Sequence, residues 1–214
     1  MIVATDWVAV SSIVTAAATL VLAVATFASV RSANRAARAA ERSLLAGLRP
    51  LLAPSRFDDP PQKVGFADNR WFKLEGGSAI AEVGDEAIYL LISLRNVGSG
   101  IAVLHGWSFH PDPQIGAGDR PDPDAFRRLT RDIYVAPGEV GFWQGAFRDR
   151  ENDDFSAARR AIEARQRMAV EILYGDHELG QRSITRFGLT PREDGDGWLA
   201  SVARHWNVDR PDPR

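Results

Sequence analysis

From Trp7 to Val30 the chain carries no charged side chain on any face. A helix rises about 1.5 Å per residue, so this run reaches about 36 Å, enough for a hydrocarbon core of about 30 Å. Ser11, Ser12, Thr15, Thr19 and Thr26 interrupt it, but each can bond back to its own helix carbonyls. Trp7 stands at one end, where an amphipathic ring suits a membrane interface. A cleaved signal peptide would have a basic flank in front and a shorter apolar run. Here the charge before the run is Asp6, and the basic residues follow it. The pattern predicts a transmembrane helix over 7–30, with 1–6 as a short flank.

Beyond Val30 the apolar period changes. Arg31, Arg35, Arg38 and Arg42 repeat at a 4-3-4 spacing, one stripe of a continuing helix over 31–50. Ala33, Ala36, Ala37, Ala40, Leu44 and Leu48 lie on another side, and Pro50 closes the element. Three readings of this basic helix stay open: a solvated spacer, a surface held on anionic lipid through its arginines, and self-association through the Ala/Leu side of 33–48. The arginines also bear on orientation. Basic residues favour the cytoplasmic side, so the N-terminus is expected outside and residues 31–214 in the cytoplasm of a bacterial cell, at the inner membrane.

From 51 onward the dominant period is two. Ile88, Leu90, Ile92 and Leu94 mark one face of a strand over Glu86–Val97, and Tyr89 and Leu91 make its other face apolar too, as in a central strand. Ile101–Phe109 follows a Gly-rich turn and reads as its hairpin partner. Leu51–Phe57, Trp71–Leu74, Ala79–Val83, Asp132–Val135 and Val140–Phe147 are further strand candidates. Met168–Tyr174 and Gln181–Leu189 form a second hairpin across the Gly175–Gly180 turn. Gly195–Val208 alternates through Trp198, Ala200, Val202, Trp206 and Val208, with a helix as the alternative. Pro111–Asp124 reads as a loop, Asp124–Thr130 as one or two helical turns, and Phe155–Gln166 as a helix capped by Asp153 or Asp154. Short strands with regular turn signals argue for an antiparallel β-sandwich over 51–209 with one inserted helix, ending in a polar tail at 210–214.

Composition narrows the chemistry. About 165 residues remain beyond the anchor, enough for one cored domain. The 28 acidic and 26 basic residues leave a net charge of -2, which argues against a nucleic-acid binder. There is no cysteine, so disulfides, thiolate metal sites and a cysteine nucleophile are excluded. Lys63 and Lys73 are the only lysines, a bias that fits a GC-rich bacterial genome. His105 and His110 with Asp112, Asp176 and His177 lack the spacing of a metal motif. Ser99 is flanked by glycines, but in a β-turn and without a nucleophile-elbow spacing. No phosphate loop is present. Neither a catalytic residue, a cofactor nor a metal is expected, and a non-enzymatic role is. Trp71, Trp107, Trp143, Trp198 and Trp206 are read as core. If exposed instead, Trp71, Trp107 and Trp143 are the candidate ligand aromatics.

Asn96-x-Gly98-x-Gly100-x-Ala102, then Pro137-Gly138-Glu139, then a strand ending Tyr174-Gly175-Asp176, resembles the bacterial Ig-like sandwich pattern. The layout as a whole resembles uncharacterised bacterial single-pass membrane proteins with one cytoplasmic Ig-like domain. The resemblance implies the fold and supplies no catalytic residue. The expectation is therefore a mainly β protein in which a transmembrane helix continues into a basic linker helix and carries an Ig-like β-sandwich. Its expected role is a protein-interaction or scaffold module, with lipid and another protein as partners. The alternative is an extracytoplasmic sandwich that binds sugar or peptide through exposed tryptophans.

Overall fold

The computed structural model describes residues 3–112, 120–178, 180–193, 195 and 197–211, with the side chains of 3–6 and 46 outside that description. The expected flank 1–6, loop 111–124, turn 175–180 and tail 210–214 thus lie partly outside the described residues. The chain divides into two units, 1–46 and 47–214.

Helix α1, Val3–Gly47, is continuous, and its apolar part is long enough to cross a membrane. From Trp7 to Leu44 its side chains are exposed. A helix apolar on every side finds its solvent in lipid rather than water. The hydroxyls are satisfied internally: Thr15 donates to Ser11 O at 2.9 Å, Thr19 to Thr15 O at 2.8 Å and Thr26 to Leu22 O at 2.8 Å. The helix runs past Val30 without interruption, so Arg31, Arg35, Arg38 and Arg42 extend the same element.

The second unit is mainly β. Its strands are β1 (Leu52–Pro54), β2 (Gln62–Gly65), β3 (Trp71–Leu74), β4 (Ser78–Val83), β5 (Ile88–Asn96) and β6 (Ala102–His110). After a 3-10 turn at Pro123–Ala125 come β7 (Arg127–Val135), β8 (Val140–Phe147), β9 (Met168–Gly175), β10 (Arg182–Pro191) and β11 (Trp198–Asn207). Helix α2, Asp153–Glu163, lies between β8 and β9, with the Asn152 side chain accepting from the Asp154 N–H as its cap.

Nine strands form one curled antiparallel sheet, and β2 with β3 forms a separate ribbon. Leu94 pairs with both Pro54 and Gly141, so β1 and β8 take opposite edges of β5. From β8 the sheet runs β5, β4, β11, β10, β9, β6, β7. The inward faces meet in a core that includes Ile88, Leu90, Ile92, Trp107, Trp143, Ile172, Phe187 and Trp198. Phe155 and Ala158 of α2 join this core. Tyr89 and Leu91, on the other face of β5, are covered by Val64, Phe66, Phe72 and Leu74 of the ribbon segment. This is why β5 reads as apolar on both faces.

Several expectations are corrected. β5 and β6 are consecutive but unpaired: β5 pairs with β1, β4 and β8, and β6 with β7 and β9. The Asn96–Gly100 segment is therefore a corner, not a hairpin turn. The reason is the incoming chain. The Leu48–Leu51 backbone passes directly over the corner, and a Cβ on Gly98 or Gly100 would overlap Leu51 N or Leu48 O. Asn96 fixes the crossing. Its Oδ1 accepts from Leu51 N at 3.2 Å and Gly98 N at 3.0 Å, and its Nδ2 donates to Gly100 O at 2.6 Å and Val135 O at 3.0 Å.

Two bulges reset the alternation. His105 is the extra residue of β6 against β9, where Leu104 faces Tyr174 and Gly106 faces Leu173. His105 thus leaves the face of Trp107, which points into the core. In β11, Phe187 faces Val202 while Arg186 faces Arg204. Trp198 consequently enters the main core, while Trp206 joins Leu173 and Ile184 in a second cluster. Arg127–Thr130, expected as helical, is the start of β7, and only Pro123–Ala125 turns, capped by Asp122. β2 has no counterpart among the expected strands, because Gln62 and Lys63 hide its single buried position, Val64.

Candidate functional site

Strands β7 and β8, each paired with a single neighbour, follow one another in sequence yet share no ladder among the described residues. Each has one unpaired edge. Between them and the β2–β3 ribbon lies a groove of about 790 Å³, within the range of pockets that hold small ligands. β7 contributes Arg127 to Arg131, β8 contributes Phe142 and Gln144 to Ala146, and the ribbon contributes Lys63, Gly65 and Trp71.

The local reasons are visible in the sequence. On β8, Trp143 and Phe147 point into the core, so Phe142, Gln144 and Ala146 line the opposite face. On the ribbon, Gly65 faces Trp71 across the register, and a Cβ there would stand 2.8 Å from the indole ring. Glycine lets the indole lie across β2, where Lys63 Nζ stacks 4.9 Å from the ring centroid. Trp71 is 58% exposed.

The groove is basic. Arg127 pairs with Asp154, and Arg148 donates to Asp68 Oδ2 at 2.7 Å. Lys63, Arg128 and Arg131 have no carboxylate partner among the described residues, and Arg131 stacks on Phe142 at 5.7 Å. Asp149 is the acidic residue of the lining. Asp68 also accepts from the Tyr89 hydroxyl at 2.6 Å. That bond, with the one from Arg148, holds its carboxyl down to about 2.

Of the candidate ligand aromatics, Trp71 alone is exposed. Trp143 is fully enclosed, and Trp107, 4% exposed, packs edge-on against it at 5.3 Å. Trp107 reaches the groove only as part of its floor. The three therefore do not make an exposed aromatic platform, because β6 and β8 turn Trp107 and Trp143 inward. Arg31, Arg35, Arg38 and Arg42 are exposed on α1.

The histidines are dispersed. His110 Nε2 stands 3.0 Å from Glu171 Oε2, and His177 pairs with Glu178 at 3.3 Å. His105 sits at its bulge beside Gly175, and burial pushes its pKa down. No cluster of three potential metal ligands occurs among the described residues. Ser99 lies in the corner, its N–H donating to Arg49 O at 3.0 Å.

Buried polar groups also lie elsewhere. Glu171 is enclosed on β9, and Arg186 donates to it at 2.8 Å. Burial alone would raise its carboxyl, but the adjacent His110 and Arg186 hold it below the ordinary range. Tyr174 Oη accepts from Leu52 N at 3.2 Å and bonds Thr185 Oγ1 at 2.9 Å. Thr185 Oγ1 bonds His205 Nδ1 at 3.0 Å, and Arg49 donates to His205 Nε2 at 3.1 Å. This chain fastens the entering segment to β9, β10 and β11.

No family model matches the sequence, and comparison with curated proteins and with solved structures returned no match. The groove residues Lys63, Arg128, Arg131, Phe142 and Gln144 escaped sequence reasoning. The available signal was Arg127-Arg128-Leu129-Thr130-Arg131, three arginines in five residues, hidden by its reading as a helical turn.

Proposed function

We propose that this is a membrane-anchored, non-enzymatic interaction module whose sheet domain receives a segment of a partner protein in the β7–β8 seam. The observation that carries the reading is the pair of unpaired edges beside a basic, part-apolar groove. Unpaired edges invite a further strand, and proteins otherwise cover or blunt them. α1 supports anchorage to a bilayer, and its arginines support a cytoplasmic domain with the N-terminus outside. The inward-facing halves of the curl support describing the domain as an Ig-like sandwich with α2 inserted.

Site-specific photo-crosslinking in cells of the source organism tests the interaction. A benzophenone side chain at Thr130, in the groove, should capture a defined segment of one partner, mapped by mass spectrometry. The same group at Arg159, exposed on α2, should not. Equal capture from both positions, or none from either, overturns the reading. Protease protection of a C-terminal tag tests orientation: cleavage in inverted vesicles with protection in intact cells is expected. Cleavage in intact cells would place the domain outside.

A further inference from the structure

We infer that the occupant of the groove is an extended acidic segment of a partner protein, added as a strand to the free edge of β8. The inference rests on the reading of the domain as an interaction module and names the ligand's chemistry. β8 is the better template of the two edges. Its ladder with β5 runs unbroken from Arg95↔Val140 to Ile88↔Phe147. β7 loses register against β6, where Leu104↔Ile133 is followed by Gly106↔Arg128, so its middle bows away. An added strand needs evenly spaced N–H and C=O groups, which a bowed edge does not offer.

A second observation points to a donor arriving from outside. Gln144, on β8 and in the groove lining, is 8% exposed, and its Oε1 has no hydrogen-bond partner among the described residues. Buried acceptors in folded proteins are almost always satisfied. A hydrogen-bond donor on the incoming segment supplies what Gln144 lacks.

Charge completes the argument. The whole chain has a net charge of -2, yet the groove lining holds five basic residues against Asp149. Three of them, Lys63, Arg128 and Arg131, have no carboxylate to neutralise them among the described residues. Phe142 and the exposed Trp71 offer apolar contact between these charges. Side chains of an extended peptide alternate, so acidic residues reach one set of contacts and apolar residues the other. The edge from Phe142 to Phe147 fits about six residues, or about 20 Å at about 3.3 Å per residue.

The test uses the full chain in phosphatidylcholine nanodiscs. The probe is a fluorescein-labelled peptide of eight residues alternating glutamate with valine or phenylalanine. Expected are saturable binding, no binding of the lysine-for-glutamate version, and marked weakening with added salt. The double variant Arg128→Glu, Arg131→Glu should weaken binding at least about tenfold, because exposed charges steer and hold a charged ligand. Both residues are exposed, and an unchanged melting temperature confirms the variant is folded. N-methylation of alternate peptide nitrogens, which keeps charge but removes ladder donors, should abolish binding.

Equal binding of the N-methylated peptide overturns strand addition. An unaffected double variant overturns the groove as the site. Displacement of the peptide by soluble short-chain phosphatidylserine, together with tolerance of N-methylation, would make the groove an anionic lipid site and overturn the proposal. If the peptide fails while Thr130 still captures a partner segment in cells, the acidic strand is wrong and the interaction reading stands. If both fail, both fall.

Discussion

Strands β9 and β10 and strands β7 and β8 are each consecutive pairs joined by a short turn containing glycine. The first pair zips into an eight-residue ladder from Gly175↔Arg182 to Met168↔Leu189. The second pair opens into a groove. The turns explain the difference. Asp176, at the β9–β10 turn, spends its bonds locally: its N–H goes to Gln181 O at 3.2 Å, and its Oδ1 accepts from Gly180 N at 2.9 Å. The β7–β8 turn is held from outside. Gly138 N donates to Asn96 O at 2.8 Å, Asn96 N donates to Glu139 O at 3.1 Å, and Val135 O accepts from the Asn96 side chain. β7 then follows β6 and β8 follows β5. Because β5 and β6 are themselves unpaired, the two pairs separate. A turn signal fixes where the chain reverses; bonds from distant residues decide whether the arms meet.

Asn96→Ala is the strongest way to break this contrast. It removes four bonds to backbone groups of the entering segment, the corner and β7, all at a fully buried position. Each buried group left unpaired costs about 1–3 kcal/mol, less whatever water recovers. A loss of about 4 kcal/mol is expected, measured by urea unfolding. A loss below about 1 kcal/mol would mean that the corner and the seam do not depend on Asn96.

What was legible in the sequence follows the same division. α1 was legible because an uncharged run has one solvent that suits it. β5, β9 and β10 were legible because no extra residue interrupts their apolar runs. β6 and β11 were legible as strands but not in which way their residues face, since His105 and the Ala203 region insert an extra residue and reverse the parity. β7 was half lost because Arg127, Arg128 and Arg131 suit a solvated helix as well as a strand edge. The groove itself could not be read, since it arises where two strands fail to pair, and no local pattern encodes that failure.

Tyr174→Phe probes the zipped side. The hydroxyl is fully enclosed, and burial raises its pKa, so it remains a neutral bonding group. Removing it strands the Leu52 N–H and shortens the chain of bonds through Thr185 and His205 to Arg49. A loss of about 1–3 kcal/mol in urea unfolding is expected. Peptide binding in the groove should not change, because none of these residues lines it. A change in binding with unchanged stability would show that the two sides are coupled and would erase the contrast between them.

The smallest effect comes from Asp68, which joins the ribbon side of the groove to β5 and to Arg148 near the end of β8. Its carboxyl sits at about 2 in the folded chain, against about 3.9 for an unfolded aspartate. A depressed carboxylate contributes stability above its unfolded value and loses it as pH falls through its folded value. The contribution is therefore whole above about pH 4 and fades toward about pH 2. Asp68→Asn should cost no more than about 1 kcal/mol at neutral pH, since solvent screens the partly exposed Arg148 pair. The gap between the variant and the natural chain should narrow as urea midpoints are taken from pH 4 to pH 2. A gap independent of pH in that window would mean that neither the Tyr89 bond nor the Arg148 bond favours the charged carboxylate, and the ribbon side of the groove would then not depend on that charge.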